Sequence, residues 1–133
     1  RLLMLACFQP LRVKCRNLYI NRGVQDTRSY HCDGRSLKFK SFLFLSDVNS
    51  LSIGPYCYVK TSHRDRRSWK LSRLFNEKNG IGMYEYSQLD GLKSLPMFAA
   101  AGDMVISSQR GAHRGHPQHR DAERAVLVNM YQL

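Results

Sequence analysis

The sequence is short of acids. Its 133 residues hold 10 Asp and Glu against 21 Lys and Arg, a formal net charge of +11. Carboxylates so few and scattered offer no visible pair for acid/base work. Also missing are a G-x-x-x-x-G-K-[ST] phosphate loop, a G-x-S-x-G elbow and an H-E-x-x-H helix, each of which places chemistry-bearing atoms at a fixed spacing. No CxxC pair occurs among Cys7, Cys15, Cys32 and Cys57, so a zinc ribbon or knuckle has no nucleus, and sparse cysteines without a secretory leader favour free thiols. Long apolar runs are absent as well. The best candidate, residues 39–48, is interrupted by Lys40, Ser41, Ser46 and Asp47, short of the roughly 18–20 residues a spanning helix needs. These absences lead to the expectation of no enzyme, no catalytic or metal-binding residues, no cofactor, no membrane and no small-molecule substrate.

What is present is positive charge. A surplus of this size on so short a chain concentrates anions around it and suits nucleic acid. Residues 1–25 contain no acid but carry Arg1, Arg12, Lys14, Arg16 and Arg22 among apolar side chains. That composition fits a mitochondrial transit segment or a basic tail inserted into an RNA groove. Residues 26–133 are expected to form a single small RNA-binding domain, since the length allows one modest core.

Within that domain, Asp33-Gly34 reads as a hairpin turn, LKFKSFLFLS as a strand, Ser-Ile-Gly-Pro at 52–55 as a turn, and YCYV at 56–59 as another strand. Residues 81–86 are expected to add a further strand. The fold class is therefore mainly β or α+β: a small barrel or sheet with basic extensions and one short helix. That helix falls in residues 60–78, the most basic region, with seven cations against Asp65 and Glu77. Trp69, Leu71, Leu74 and Phe75 make its apolar stripe.

Two clusters invite sharper readings. His113, His116 and His119 stand at spacings of three, but Gly111, Gly115 and Pro117 break any helix, and Arg110, Arg114 and Arg120 are interleaved, so a metal is not expected there. In His31-Cys32-Asp33, neighbours on a strand point to opposite faces, which disfavours His31 and Cys32 as a base and nucleophile pair; a partner from elsewhere in the chain stays open, and the triplet is expected to be a turn. The candidate RNA contacts are Arg12, Lys14, Arg16, Lys60, Arg64, Arg66, Arg67, Trp69, Lys70, Arg73, Arg110, His113, Arg114, His116, His119 and Arg120. Arginine's planar fork suits phosphate, and Trp69 can stack on unpaired bases.

The order Leu95-Pro96, Ala100, Gly102-Asp103-Met104-Val105, Arg110-Gly111, then Ala125-Val126 and Val128 resembles the universal large-subunit ribosomal protein fourteen, over residues 94–128. That family is a small β-barrel on large-subunit RNA. Residues 104–106 and 125–128, both short, apolar and β-rich, are expected to pair as strands around a glycine-rich, RNA-facing loop that is ordered only against RNA. The family's early Asp-Asn-Ser/Thr-Gly-Ala strand and later Phe-x-x-Asn-Ala segment have no counterpart in this sequence. The expected function is a structural constituent of the ribosome, binding ribosomal RNA and neighbouring ribosomal proteins, in the mitochondrial large subunit or else a cytoplasmic ribosome. The alternative is a small basic assembly or accessory protein of an organellar complex that meets mainly protein.

Overall fold

The computed structural model describes residues 12–89 and 91–132. Two antiparallel sheets and one short helix account for its regular structure, so the α+β, mainly-β class holds. The elements run β1 (Arg12–Arg22), β2 (Lys38–Phe44), a 3-10 turn (Leu51–Ile53), β3 (Tyr56–Val59), α1 (Arg66–Asn79), β4 (Ser94–Met97), β5 (Met104–Ser108), β6 (His113–Gly115) and β7 (Glu123–Gln132). One sheet has the order β1-β7-β2-β5 and the other β4-β3-β6.

Alternation along the strands builds the space between the sheets. On β2, Lys40, Phe42 and Phe44 point inward, and on β7 Arg124, Val126 and Val128 do the same; all six line one cavity of about 310 Å³. Phe44, Val126 and Val128 are buried there with Val48. A second core lies on the far side of β3, where Val59, Cys32, Ala112 and Tyr86 are buried and half-buried Trp69 packs against them. The helix covers that side.

α1 starts where Asp65 Oδ1 accepts the Arg67 and Ser68 N–H groups at 3.0 and 3.1 Å. It stops at Gly80, whose φ of 64° suits a residue without Cβ. Its buried face is polar: Ser68, Ser72 and Asn76 turn inward. Asn76 Nδ2 donates to the Gly82 and Glu85 carbonyls at 3.1 and 2.8 Å, and Ser72 Oγ accepts the Gln88 N–H at 3.0 Å. Leu71, Leu74 and Phe75 from the expected apolar stripe are exposed. Residues 81–86, expected as a strand, form turns held by these hydrogen bonds, with one isolated bridge at Glu85.

The basic segment at residues 1–25 also changes character. Residues 12–22 are β1, an edge strand in register with β7 from Arg12 opposite Gln132 to Arg22 opposite Glu123; residues 1–11 lie outside the described residues. Residues 104–106 and 125–128 are strands but not partners, because β2 lies between β5 and β7. Gly102-Asp103 is a turn with φ of 96° at the glycine, and Asp103 Oδ2 accepts the Ala100 N–H at 2.8 Å. This is turn chemistry open to any antiparallel sheet, which explains the chance likeness to a ribosomal barrel. Cys15, Cys32 and Cys57 are free thiols, and no described helix is long and apolar enough to cross a membrane.

Candidate metal centre

The Ser107–Arg120 segment does not splay outward as an RNA-facing loop. It dives into the molecule: Gln109, Gly111, Ala112, His113 and Gln118 are buried. Gly111 makes this possible, since a Cβ there would stand 2.0 Å from Tyr58 Oη and 2.8 Å from Ser62 Oγ. Ser62 Oγ accepts the Ala112 N–H at 2.8 Å. The segment then pairs with β3 as β6, Tyr58 opposite His113 and Tyr56 opposite Gly115.

On the other side of His113 runs the extended stretch His31-Cys32-Asp33. The His31 N–H donates to the His113 carbonyl at 3.0 Å and the His113 N–H to the His31 carbonyl at 2.9 Å. Cys32 points into the outer core, so His31 and Asp33, two residues apart, face the cavity side together. Both imidazole Nε2 atoms lie 3.7 Å from the same oxygen, Asp33 Oδ1. The three candidate ligand atoms fall within 4.8 Å of one another.

The far side of each ring fixes what the near side can do. His31 Nδ1 lies 2.8 Å from the Ser29 carbonyl and His113 Nδ1 3.0 Å from the Gly111 carbonyl. A carbonyl only accepts, so each Nδ1 carries a proton, and in the neutral ring the Nε2 lone pair is the one turned toward Asp33. His113 Nε2 is buried without a hydrogen-bond partner. Burial pushes the His31 pKa down, with the charges of His113 and Arg28 adding to it, so the neutral, ligating form is favoured. Burial alone would push the Asp33 carboxyl up, but His113 and Lys40 outweigh it and hold the group well below the usual carboxylate range.

These residues fit a divalent first-row metal. Two imidazoles and one ionised carboxylate converge on one point, the donor set of non-haem Fe(II) sites with open positions. Metal–ligand bonds of about 2.0–2.2 Å put neighbouring ligand atoms about 3 Å apart, so the Nε2–Oδ1 separations of 3.7 Å need only a small closure.

The same cavity is lined by a half-buried cation, Arg124. Arg124 donates to the Gly54 carbonyl and, through Nη2, to Asn21 Oδ1 at 3.0 Å, while its Nε has no partner. Among the described residues it has no carboxylate partner, and burial lowers its pKa. A half-buried guanidinium with no carboxylate partner and an unpartnered Nε favours an anion beside it.

Of the residues expected to contact RNA, Arg12, Lys14, Arg16, Lys60, Arg64, Arg66, Arg67, Lys70, Arg73, His119 and Arg120 are exposed, whereas Arg110, Arg114, His116 and Trp69 are half-buried. They share no single face, being split among β1, α1 and the segment around β6. His113 is withdrawn from that set, since it is buried in the centre. His116 Nδ1 turns to the Pro117 carbonyl and His119 to Asp121, so the three histidines do not converge. The missed signal was the spacing of His31 and Asp33: the alternation that separates neighbours brings next-but-one residues together.

Neither a protein-family model nor a curated protein matches the chain in sequence. Solved structures do. SnoK, described as a non-heme alpha ketoglutarate dependent carbocyclase from nogalamycin biosynthesis, aligns with a TM-score of 0.73 and 19% identity over 96% of this chain and 52% of its own. AviO1 from Streptomyces viridochromogenes Tue57 gives 0.70 and 16% over 98% and 54%. HygX from Streptomyces hygroscopicus with iron bound gives 0.68 and 19% over 97% and 63%. The chain has their fold. It spans between about half and two thirds of the length of these three. HygX has also been solved with nickel, 2-oxoglutarate and hygromycin B bound.

These findings overturn the ribosomal reading. The likeness to ribosomal protein fourteen rested on turn chemistry within residues 94–128, whereas the likeness to SnoK and HygX takes in nearly the whole chain. With it fall the structural role in a ribosome, the accessory-protein alternative, the RNA and ribosomal-protein partners, and the mitochondrial or cytoplasmic ribosome as location. The expectations of no enzyme and no small-molecule substrate fall on the same ground: this is the fold of SnoK, described as a carbocyclase, and of HygX, solved with 2-oxoglutarate and hygromycin B bound.

Proposed function

We propose that the chain carries the catalytic centre of a non-haem iron oxygenase that uses 2-oxoglutarate to oxidise a small organic substrate. One observation carries the reading: His31, Asp33 and His113 bring two imidazole Nε2 atoms and a carboxylate oxygen to one point, beside a cavity that is also lined by the half-buried Arg124, which has no carboxylate partner among the described residues.

The roles follow from that geometry. His31, His113 and Asp33 would hold Fe(II), with Asp33 reducing the net charge and the two Nδ1–H bonds fixing ring orientation. Arg124 would receive one carboxylate of 2-oxoglutarate, whose negative charge relieves the cost of burying the guanidinium. Phe42, Phe44, Tyr56, Val126 and Val128 line the same space and limit the entry of bulk water. The bound metal supplies open positions for dioxygen and co-substrate, and the overall change converts 2-oxoglutarate, O2 and a C–H compound to succinate, CO2 and the hydroxylated product.

The test is turnover without the organic substrate. Protein loaded anaerobically with Fe(II) and 2-oxoglutarate, then exposed to O2, is expected to release succinate, and Arg124→Met and His113→Ala are expected to release none above free iron. Stoichiometric iron binding with no O2-dependent succinate would overturn the oxygenase reading.

A further inference from the structure

The two oxygens of Asp33 have different neighbours. Oδ1 faces both imidazoles at 3.7 Å, while Oδ2 lies 2.5 Å from Lys40 Nζ. The ammonium meets this oxygen as a charge contact rather than an aligned hydrogen bond, since Oδ2 has no bond of regular geometry. Lys40 comes from β2, opposite Ser107 on β5 and Met130 on β7, so both neighbouring strands fix its backbone. Its inward orientation is the strand alternation that also sends Phe42 and Phe44 into the cavity. Lys40 and Asp33 are both largely shielded, with side chains 20% and 19% exposed, so water screens the pair weakly. No other acid pairs with Lys40 among the described residues.

A free carboxylate can bind a metal through one oxygen or both, and binding through both occupies a second coordination position. We infer that Lys40 is a positioning residue: it holds Asp33 Oδ2 away from the metal, so that the aspartate binds through Oδ1 alone and one more position stays open. This inference rests on the metal reading of the site. It gives a reason for a cation beside a metal-binding carboxylate, which on charge alone weakens attraction for the ion. Removing the lysine leaves Asp33 more negative and free to turn both oxygens toward the metal.

The experiment uses Co(II), whose visible spectrum reports coordination, bound anaerobically to the protein without any organic ligand. Wild type and Lys40→Arg are expected to share one spectrum. Lys40→Met is expected to show a different spectrum, Co(II) affinity equal to or above wild type, and 2-oxoglutarate affinity lowered by about 10-fold or more. Lys40→Gln guards against a misfolded Met variant, and thermal midpoints within a few degrees of wild type show that the fold is kept. If the spectra of Lys40→Met and Lys40→Gln match wild type, the inference is overturned even if 2-oxoglutarate binds less well, because a lysine that touches only the ligand gives that pattern. A loss of Co(II) affinity parallel to a loss of thermal stability also overturns it, as a purely structural role. If wild type binds no Co(II), or His31→Ala binds it equally well, the metal reading itself fails and the inference falls with it.

Discussion

His31 and His113, distant in sequence, exchange backbone hydrogen bonds in both directions, 3.0 Å one way and 2.9 Å the other. The pairing sets their ring centroids 4.5 Å apart and leaves Cys32 and Ala112 to anchor the two segments in the outer core. Backbone pairing thus places the imidazoles, and the outer core holds the backbone. Disturbance behind the site should therefore be felt in it.

Gly111→Ala tests that link. The new methyl would meet Tyr58 and Ser62 at distances no packing allows, so the variant is expected to lose about 1–3 kcal/mol and to bind metal more weakly. Chemical denaturation and metal titration check it. Adding Tyr58→Phe removes the closest oxygen and is expected to recover part of both losses.

Arg124→Met should separate stability from ligand binding. The substitution removes a half-buried charge with an unpartnered Nε but forfeits its bonds to Gly54 and Asn21. These effects oppose each other, and the ligand-free thermal midpoint is expected to move little. Wild type with metal should gain stability when 2-oxoglutarate is added, by the mass action of a ligand that binds only the folded state. The variant should gain none.

Tyr86 predicts a loss of stability in alkali. Burial pushes its phenol up to about 12, whereas in the unfolded chain it ionises near 10. A folded pKa above the unfolded one gives stability that is complete below pH about 10 and is lost as pH rises toward 12. Denaturation midpoints across that window should fall. Tyr86→Phe should flatten the fall without abolishing it, since burial also raises Tyr56.

Exposed cations on α1 should be dispensable for the chemistry. Replacing Arg66, Arg67 and Lys70 with Ala is expected to leave metal and 2-oxoglutarate affinities unchanged within about twofold, because all three are exposed and none lines the cavity, and salt screens surface charge. Parallel titrations of both ligands decide it. Asp65→Ala, by contrast, should cost about 0.5–2 kcal/mol through the lost N-cap.

Local pattern carried the parts of the fold that local pattern determines. β2 and β3 were legible because aromatic residues alternate with others over a strand's length, and α1 was legible as a helix within residues 60–78, although the start set by the Asp65 cap was not. Nor was its facing. Ser68, Ser72 and Asn76 turn inward because carbonyls and amides at 82–88 await them, a long-range match that hydrophobic spacing does not report. The site was half legible. His31 and Asp33 share a face by the alternation rule alone, but His113 sits in a basic, glycine-rich stretch whose burial depends on β3, Tyr58 and Ser62. Charge misled most, since the excess of Lys and Arg lies largely on the surface while the decisive cations, Lys40 and Arg124, are two inward-facing residues.

Iron binding should require His31, Asp33 and His113 together, as one site. Anaerobic equilibrium dialysis against Fe(II) tests it most directly, with wild type beside single Ala variants of these three residues and of His116 and His119. One ion per chain is expected for wild type, His116→Ala and His119→Ala, and less than a tenth of that occupancy for the other three at the same free iron. Equal iron binding by the His31, Asp33 and His113 variants, or none by folded wild type, would contradict the account.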